Sequence, residues 1–170
     1  MPSEKPRIGV SACLLGRSVR YDGGHSEDAF ITSVLSSAFE LLPVCPEAES
    51  GLPAPREPMR LEGDPGDPRL MAIETRRDLS ARLKAFAAAR VEGLAKEHLA
   101  GFIFKSKSPS CGLRQVKVFD ESGLFRPVGV GIFARAFLER FPLLPALDEM
   151  GLADPVARAA FLERLFKKTG

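Results

Sequence analysis

GFIFKSKSPSCG, residues 101–112, is the stretch that decides the fold, because a short apolar run ends there in a polar turn. The run Gly101–Phe104 is bounded by a charged residue, Lys105, which is typical of a short buried strand. The Ser-Pro-Ser sequence that follows is typical of a tight turn, and it carries Cys111. We therefore predict that Cys111 lies just beyond the end of a strand.

Two earlier stretches repeat this arrangement of a strand followed by a cysteine. Arg7–Ala12 and Glu40–Val44 are short and mostly apolar, which predicts buried strands, with Pro43 near the end of the second. Helical periodicity predicts one helix capped by Ser26 and another over residues 75–96. This alternation predicts an α/β fold with a mainly parallel sheet and helices on both faces, a Rossmann-like three-layer sandwich.

The rest of the chain is predicted to complete a single domain, residues 1–170. Residues 46–71 are rich in proline and show little periodicity, which predicts a long, stiff loop that acts as a fixed wall rather than a mobile lid. Residues 115–120 alternate as a strand does. The last part, residues 136–170, is predicted to be a C-terminal helical extension.

Composition and charge argue against several classes of protein. Of the 170 residues, 45% are apolar and 27% are charged, as in an ordinary globular domain. The net charge of +2, with scattered lysines and arginines, does not support a nucleic-acid polymer as a partner. No apolar run approaches the roughly 18 residues of a membrane helix, and the N-terminal residues lack the apolar stretch of a signal peptide. We therefore expect a cytoplasmic protein without membrane contact, either a monomer or a homodimer.

The three cysteines, Cys13, Cys45 and Cys111, each follow a predicted strand. In a parallel sheet all three lie at the carboxyl edge, where open α/β sheets bind their ligands. An odd number of thiols in a reducing compartment argues against a disulfide framework. Three possibilities remain: small core residues, a zinc ion with three sulfur ligands and a water, or a 4Fe–4S cluster with one open iron.

Three blocks of the sequence carry a family resemblance. VSACLLGRSVRYDGG (residues 10–24), PVCPEAESGLPAPR (residues 43–56) and KSKSPSCG (residues 105–112) resemble the signature blocks of a small bacterial family. That family was long described only as a domain of unknown function, and it includes the 4Fe–4S-dependent thiouracil desulfidases. The resemblance covers about residues 7–135.

The resemblance implies a cofactor and a reaction. The cofactor is a 4Fe–4S cluster with Cys13, Cys45 and Cys111 as its three ligands and one open iron. The reaction is non-redox desulfuration of a thiolated pyrimidine base or nucleoside, thiouracil to uracil plus sulfide, in which the substrate's sulfur binds the open iron. Because one iron is exposed, we expect the cluster to be lost readily in aerobic preparations.

Residues beside the cysteines are the candidates for catalysis and substrate binding. Hydrolytic desulfuration needs a group that moves protons, and Glu47 stands two residues past Cys45. We expect Ser108 to act in substrate binding or catalysis, and Ser110 to support the turn and bind substrate or a cluster sulfur. The remaining candidates for the walls of the pocket are Tyr21, Asp22, Gly23, Gly24 and Arg56.

Two alternatives to a desulfidase remain open at this point. The protein could be a non-catalytic iron–sulfur or zinc module that senses a ligand. It could also be a hydrolase with a cysteine nucleophile, although neither histidine lies in a cysteine block. Residues 113–135 depart from the pattern of the family, so the sequence does not assign them a role.

Overall fold

The computed structural model describes residues 4–169. Its strands, in chain order, are β1 Arg7–Ser11, β2 Glu40–Val44, β3 Met59–Glu62, β4 Arg69–Ala72, β5 Gly101–Phe104, β6 Val116–Phe119, β7 Phe125–Gly129 and β8 Ala146–Asp148. Its α-helices are α1 Ser36–Ala38, α2 Pro46–Glu49, α3 Ser80–Ala95, α4 Ile132–Arg140, α5 Glu149–Ala153 and α6 Pro155–Thr169. A 3₁₀ helix, Ala12–Leu15, follows β1, and a π-helix, Phe30–Leu35, leads into α1.

The main sheet is parallel throughout, in the order β2-β1-β5-β8. Its centre is the pair β1 and β5, in which Ile8 lies opposite Gly101. This confirms the parallel sheet predicted from the three strand-then-cysteine stretches. Strand β8 lies in the part predicted to be a helical extension, and it pairs with β5 through Leu147 and Ile103.

Helices cover both faces of the main sheet, which confirms the three-layer architecture. Side chains of β5 alternate between the faces, as a strand requires. Ile103 packs with residues of β1, the π-helix, α5 and α6. Phe102 and Phe104 face the other way and pack against α3 and α4, where Phe137 lies 4.9 Å from the Phe102 ring and 5.3 Å from the Phe104 ring.

A second, mixed sheet in the order β4-β3-β6-β7 was not predicted. Strand β3 lies inside the stretch predicted to be a long loop, so that prediction was wrong over Met59–Glu62. Leu61 and Leu70 of this sheet are fully buried against Leu83 of α3. Burial of these side chains stabilises β3, although the surrounding prolines make the sequence look like a loop.

Two helices begin later than predicted. Arg20 donates a hydrogen bond to Ser26 Oγ, and Asp28 Oδ1 accepts one from Ile31 N–H at 3.2 Å, so Asp28 caps the π-helix instead. Helix α3 begins at Ser80, where Asp78 accepts a hydrogen bond from the Ser80 N–H. None of the described helices is long and apolar enough to cross a membrane.

Candidate functional site

The three cysteines meet at one cavity at the carboxyl edge of the main sheet. Cys13 lies in the 3₁₀ helix after β1, Cys45 follows β2, and Cys111 lies in the turn after β5. All three are free thiols, and Cys111 is buried. The cavity has a volume of about 380 Å³. Parallel strands place their carboxyl ends side by side, which is why residues so far apart in the chain line one space.

Burial raises the pKa of each thiol. The pKa of Cys13 rises to about 11, while the charge of Lys105 works in the opposite direction. Burial raises the pKa of Cys111 well above its ordinary value, and repulsion from Cys13 and Cys45 adds to this effect. The pKa of Cys45 is also raised by burial. Three thiolates in this space therefore need a cation to stabilise them, and metal coordination supplies one.

Three free thiols at one cavity form a donor set that suits a metal centre with sulfur ligands. Among residues 4–169, no group of three His, Cys, Asp or Glu side chains could hold one metal ion. A single zinc would need every sulfur within about 2.3 Å of one point. A cluster spreads its cysteines over separate irons, so its ligands stand farther apart.

The turn that carries Cys111 is organised by Ser108. Its Oγ accepts hydrogen bonds from the backbone N–H of Ser110 at 3.2 Å and of Cys111 at 3.0 Å. The carbonyl oxygen of Ser108 accepts another from the N–H of Gly112 at 2.8 Å. The side chain that we expected in catalysis thus also shapes the turn.

The start of helix α4 packs against the turn that carries Cys111. Backbone N–H groups of Ile132 and Phe133 donate to the carbonyl oxygens of Pro109 and Ser110, both at 3.0 Å. A side chain at Gly131 would meet the carbonyl carbon and oxygen of Ser110 at 2.5 Å, so only glycine fits there. The segment that the sequence left without a role therefore carries a structural support for the cysteine turn.

Glu47 is the centre of a buried polar network. Its Oε1 accepts a hydrogen bond from Ser110 Oγ at 2.8 Å. Its Oε2 accepts two from the guanidinium of Arg56, of which the Nε bond is 3.1 Å long. The side chains of Arg56 and Glu47 are only 6% and 13% exposed. Arg56 also donates to the carbonyl oxygen of Val19 at 2.8 Å, which ties the first cysteine block to the second.

The structure separates the predicted substrate-binding residues into two groups. Tyr21 and Arg56 line the cavity together with Glu47, Ser108 and Ser110. Asp22, Gly23 and Gly24 are not among its lining residues. The Asp22 carboxylate instead accepts the N–H of Gly24 at 2.9 Å, closing a tight turn in the loop that presents Tyr21.

The sequence analysis assigned no role in the site to Lys105 or Glu149. The Lys105 side chain is only 23% exposed, lines the cavity, and lies 3.4 Å from a carboxylate oxygen of Glu149. The position of Lys105 directly after β5 was a usable signal, since Cys13 and Cys45 occupy equivalent positions after their strands. Glu149 follows the unpredicted strand β8, so no local pattern indicated it.

Fold and site together define an α/β protein with a three-cysteine cavity at the carboxyl edge of its parallel sheet. The chain belongs to the 2-thiouracil desulfurase family, whose sequence profile matches residues 8–149. This confirms the resemblance found in the three sequence blocks.

A solved structure, described as the [4Fe–4S]-dependent thiouracil desulfidase TudS, resembles the chain with a TM-score of 0.69 and 27% sequence identity. The likeness covers 92% of this chain and 99% of that one. The uncharacterized protein YbbK of Bacillus subtilis (strain 168) is 32% identical over 109 residues, which are 61% of this chain and 71% of YbbK.

Proposed function

We propose that this protein is an enzyme that removes the sulfur of a thiolated pyrimidine, converting thiouracil to uracil plus sulfide by hydrolysis and without net redox. The observation that carries the proposal is one cavity lined by three free cysteines together with Glu47. Membership of the 2-thiouracil desulfurase family and the likeness to TudS support the substrate class and the cofactor.

Cys13, Cys45 and Cys111 would hold a 4Fe–4S cluster. Three protein ligands leave the fourth iron open, and when the cluster is bound that iron supplies a Lewis acid with affinity for the soft sulfur of the substrate. A reducing compartment such as the cytoplasm keeps the three cysteines available as ligands.

Glu47 would accept a proton from the attacking water. As an ionised carboxylate it is an acceptor only, and its hydrogen bonds to Ser110 and Arg56 fix both oxygens in the cavity wall. A general base contributes most when its orientation is fixed in this way before the substrate binds. The same carboxyl can then return the proton to the departing sulfur or to the ring nitrogen.

The remaining polar residues would orient the pyrimidine. The hydroxyls of Ser108 and Ser110 and the ring of Tyr21 lie in the cavity wall, while Arg56 holds Glu47 and the loop after β1. Asp22, Gly23 and Gly24 would act by shaping the turn next to Tyr21. A volume of about 380 Å³ is within the ordinary range for a small-molecule site.

The experiment that tests hydrolysis traces the oxygen atom that replaces sulfur in the product. Anaerobically reconstituted protein is incubated with 2-thiouracil in ¹⁸O-water without a reductant. We expect uracil that carries one ¹⁸O atom and one equivalent of sulfide, because water replaces sulfur at the ring carbon. A requirement for a reductant, or uracil without ¹⁸O, would rule out the non-redox mechanism, and bound iron without any turnover would favour a sensing module.

A further inference from the structure

Lys105 is the cation whose place in the site is not explained by the proposed reaction. Its side chain lines the cavity and is 23% exposed. Its Nζ donates to the carbonyl oxygen of Ser106 at 3.1 Å and lies 3.4 Å from Glu149 Oε1. The Ser106 Oγ, also at 3.4 Å, is a third acceptor. A lysine held by three acceptors in a half-buried wall is fixed in place, unlike a solvated surface lysine.

The backbone of Lys105 ties two of the cysteine-bearing segments together. Its N–H donates to Ser11 Oγ at 2.9 Å, and Ser11 is also hydrogen-bonded to Cys111. Ser11 ends β1 and directly precedes the 3₁₀ helix of Cys13. Lys105 therefore sits where the first and third cysteine segments meet, and its charge favours the thiolate form of Cys13.

Glu149 holds Lys105 from outside the cavity. Its carboxylate accepts the backbone N–H of Ser106 with both oxygens, at 2.7 Å and 3.1 Å. Its side chain is 16% exposed, and Glu149 is not among the residues that line the cavity. Lys105 is thus part of the cavity wall, while its counter-ion is not.

The other cations at the cavity are placed differently. The Arg56 guanidinium is neutralised by Glu47, which lies in the cavity wall itself. Arg20 lies 3.4 Å from Asp22 and is 32% exposed. Lys107 is exposed to solvent. Of the two half-buried cations whose counter-ions lie outside the cavity lining, Lys105 is the less exposed, and it lies between β5 and the turn that carries Cys111.

We propose that Lys105 stabilises the negatively charged sulfur that the reaction leaves in the cavity, with Glu149 as its positioning residue. This rests on the proposed function, in which a thiocarbonyl and water give a carbonyl and hydrogen sulfide. The oxygen of water bonds to the ring carbon, the carbon–sulfur bond breaks, and the protons of water pass to sulfur without electron transfer. Near neutral pH hydrogen sulfide ionises to hydrosulfide, an anion that a half-buried ammonium attracts more strongly than it would in water.

The test measures hydrosulfide binding directly. Reconstituted holo-protein is titrated anaerobically with sodium hydrosulfide, and the change in cluster absorbance gives an apparent Kd. We expect Lys105→Met to weaken binding about tenfold, as removal of one nearby charge at a partly buried site does. Lys105→Arg should stay within about threefold of the wild type, since it keeps the charge. Lys84→Met, which removes a surface lysine paired with Asp67, is the matched control and should change nothing.

Glu149→Gln separates charge from scaffolding. Glutamine keeps an acceptor oxygen for both the Ser106 N–H and the Lys105 Nζ, so it still positions Lys105 while removing a negative charge. Hydrosulfide should therefore bind as tightly as in the wild type or more tightly. Weaker binding in this variant would show that the geometry of the turn governs the site, and would overturn the proposal. If Lys105→Met takes up less iron than the wild type, the hydrosulfide affinity of Glu149→Gln still tests the proposal.

Different results would refute the role of Lys105 and the proposed function. Equal hydrosulfide affinity in Lys105→Met and Lys84→Met, in proteins that still release sulfide from thiouracil, would refute the role of Lys105 alone. Holo-protein that binds hydrosulfide through Lys105 but releases none from thiolated pyrimidines would refute the proposed function alone. Wild-type protein that takes up no iron would refute both.

Discussion

Two partners, Ser110 and Arg56, fix the orientation of the Glu47 carboxylate. Its carboxylate accepts hydrogen bonds from Ser110 and Arg56, and the pair with Arg56 is buried. A buried ion pair contributes little net stability but fixes the orientation of its members. In the proposed reaction this orientation matters, because the carboxyl would have to face the water that attacks the substrate.

Glu47→Gln should therefore leave the cluster in place and remove turnover. Glutamine keeps the shape and one acceptor oxygen but does not take a proton, so we expect kcat to fall by about 10²–10⁴-fold. Sulfide release under saturating substrate, divided by iron content, measures the effect. Glu92→Gln, on the surface beside Arg140, is the control. Retention of more than a tenth of wild-type turnover would remove Glu47 from the mechanism.

The site residues that could be predicted from the sequence are those that a local pattern places next to a strand. Cys13, Cys45 and Cys111 could be placed together because each directly follows a strand-like run or a short turn after one. The contact between Glu149 and Ser106 spans 43 residues and passes through β8, so no local signal reports it. The position of Lys105 directly after β5 can be read from the sequence, but its half-buried environment depends on the contact between Glu149 and Ser106.

At the scale of elements, the site depends on how α4 meets the cysteine turn. The first N–H groups of a helix have no partner within it, and here the carbonyl oxygens of Pro109 and Ser110 accept three of them. The turn thus caps the helix, while the helix fixes the turn. Gly131 allows this close approach.

Gly131→Ala should loosen the cluster without changing any ligand. The new methyl group would press on the backbone of Ser110 and Cys111, so we expect a lower iron content after reconstitution and a loss of roughly 1–3 kcal/mol of stability. Gly93→Ala in α3 is the matched control, because its methyl group would meet nothing closer than 3.9 Å. That variant should keep its iron and gain up to about 1 kcal/mol. Full iron occupancy in Gly131→Ala would contradict this account of α4.

Elements of the main sheet were more predictable than those of the second sheet. Strands β1, β2 and β5 are apolar runs with clear ends, and β1 and β5 at the centre of the sheet are buried on both faces, as such runs predict. Strand β3 is four residues long between proline-rich stretches, and its neighbour β6 is distant in sequence. It pairs with the adjacent strand β4 over four residue pairs and with β6 over two, and the proline-rich local sequence has no pattern that indicates either pairing.

At the scale of the whole molecule, the core packs the second sheet against α3, and an ion cluster ties β3 to the turn between β4 and α3. Glu62 at the end of β3 accepts two hydrogen bonds from Arg76, both at 2.7 Å, and one from Arg60 at 2.9 Å. Its side chain is 9% exposed. These bonds, those from Arg76 above all, lower the pKa of Glu62 to about 2.

Glu62→Gln should therefore destabilise the protein in a way that depends on pH. A carboxyl with a lowered folded pKa stabilises the fold above its unfolded pKa of 4.5, and this stabilisation is lost as the pH falls towards 2. We expect a loss of roughly 1–3 kcal/mol at pH 7 that shrinks progressively below pH 4.5. Urea unfolding at pH 7 and pH 3 measures it, with Glu163→Gln as an exposed control. A difference independent of pH would refute the electrostatic explanation.

The central claim concerns the whole molecule: three cysteines hold one 4Fe–4S cluster that desulfurates a thiolated pyrimidine. The most direct measurement determines iron and released sulfide in the same anaerobic samples of wild type and Cys111→Ser, with 2-thiouracil as substrate. We predict about four irons per wild-type chain and stoichiometric conversion of thiouracil to uracil plus sulfide, with both lost in Cys111→Ser. Wild-type protein that carries four irons and releases no sulfide, or Cys111→Ser with an intact cluster, would contradict the claim.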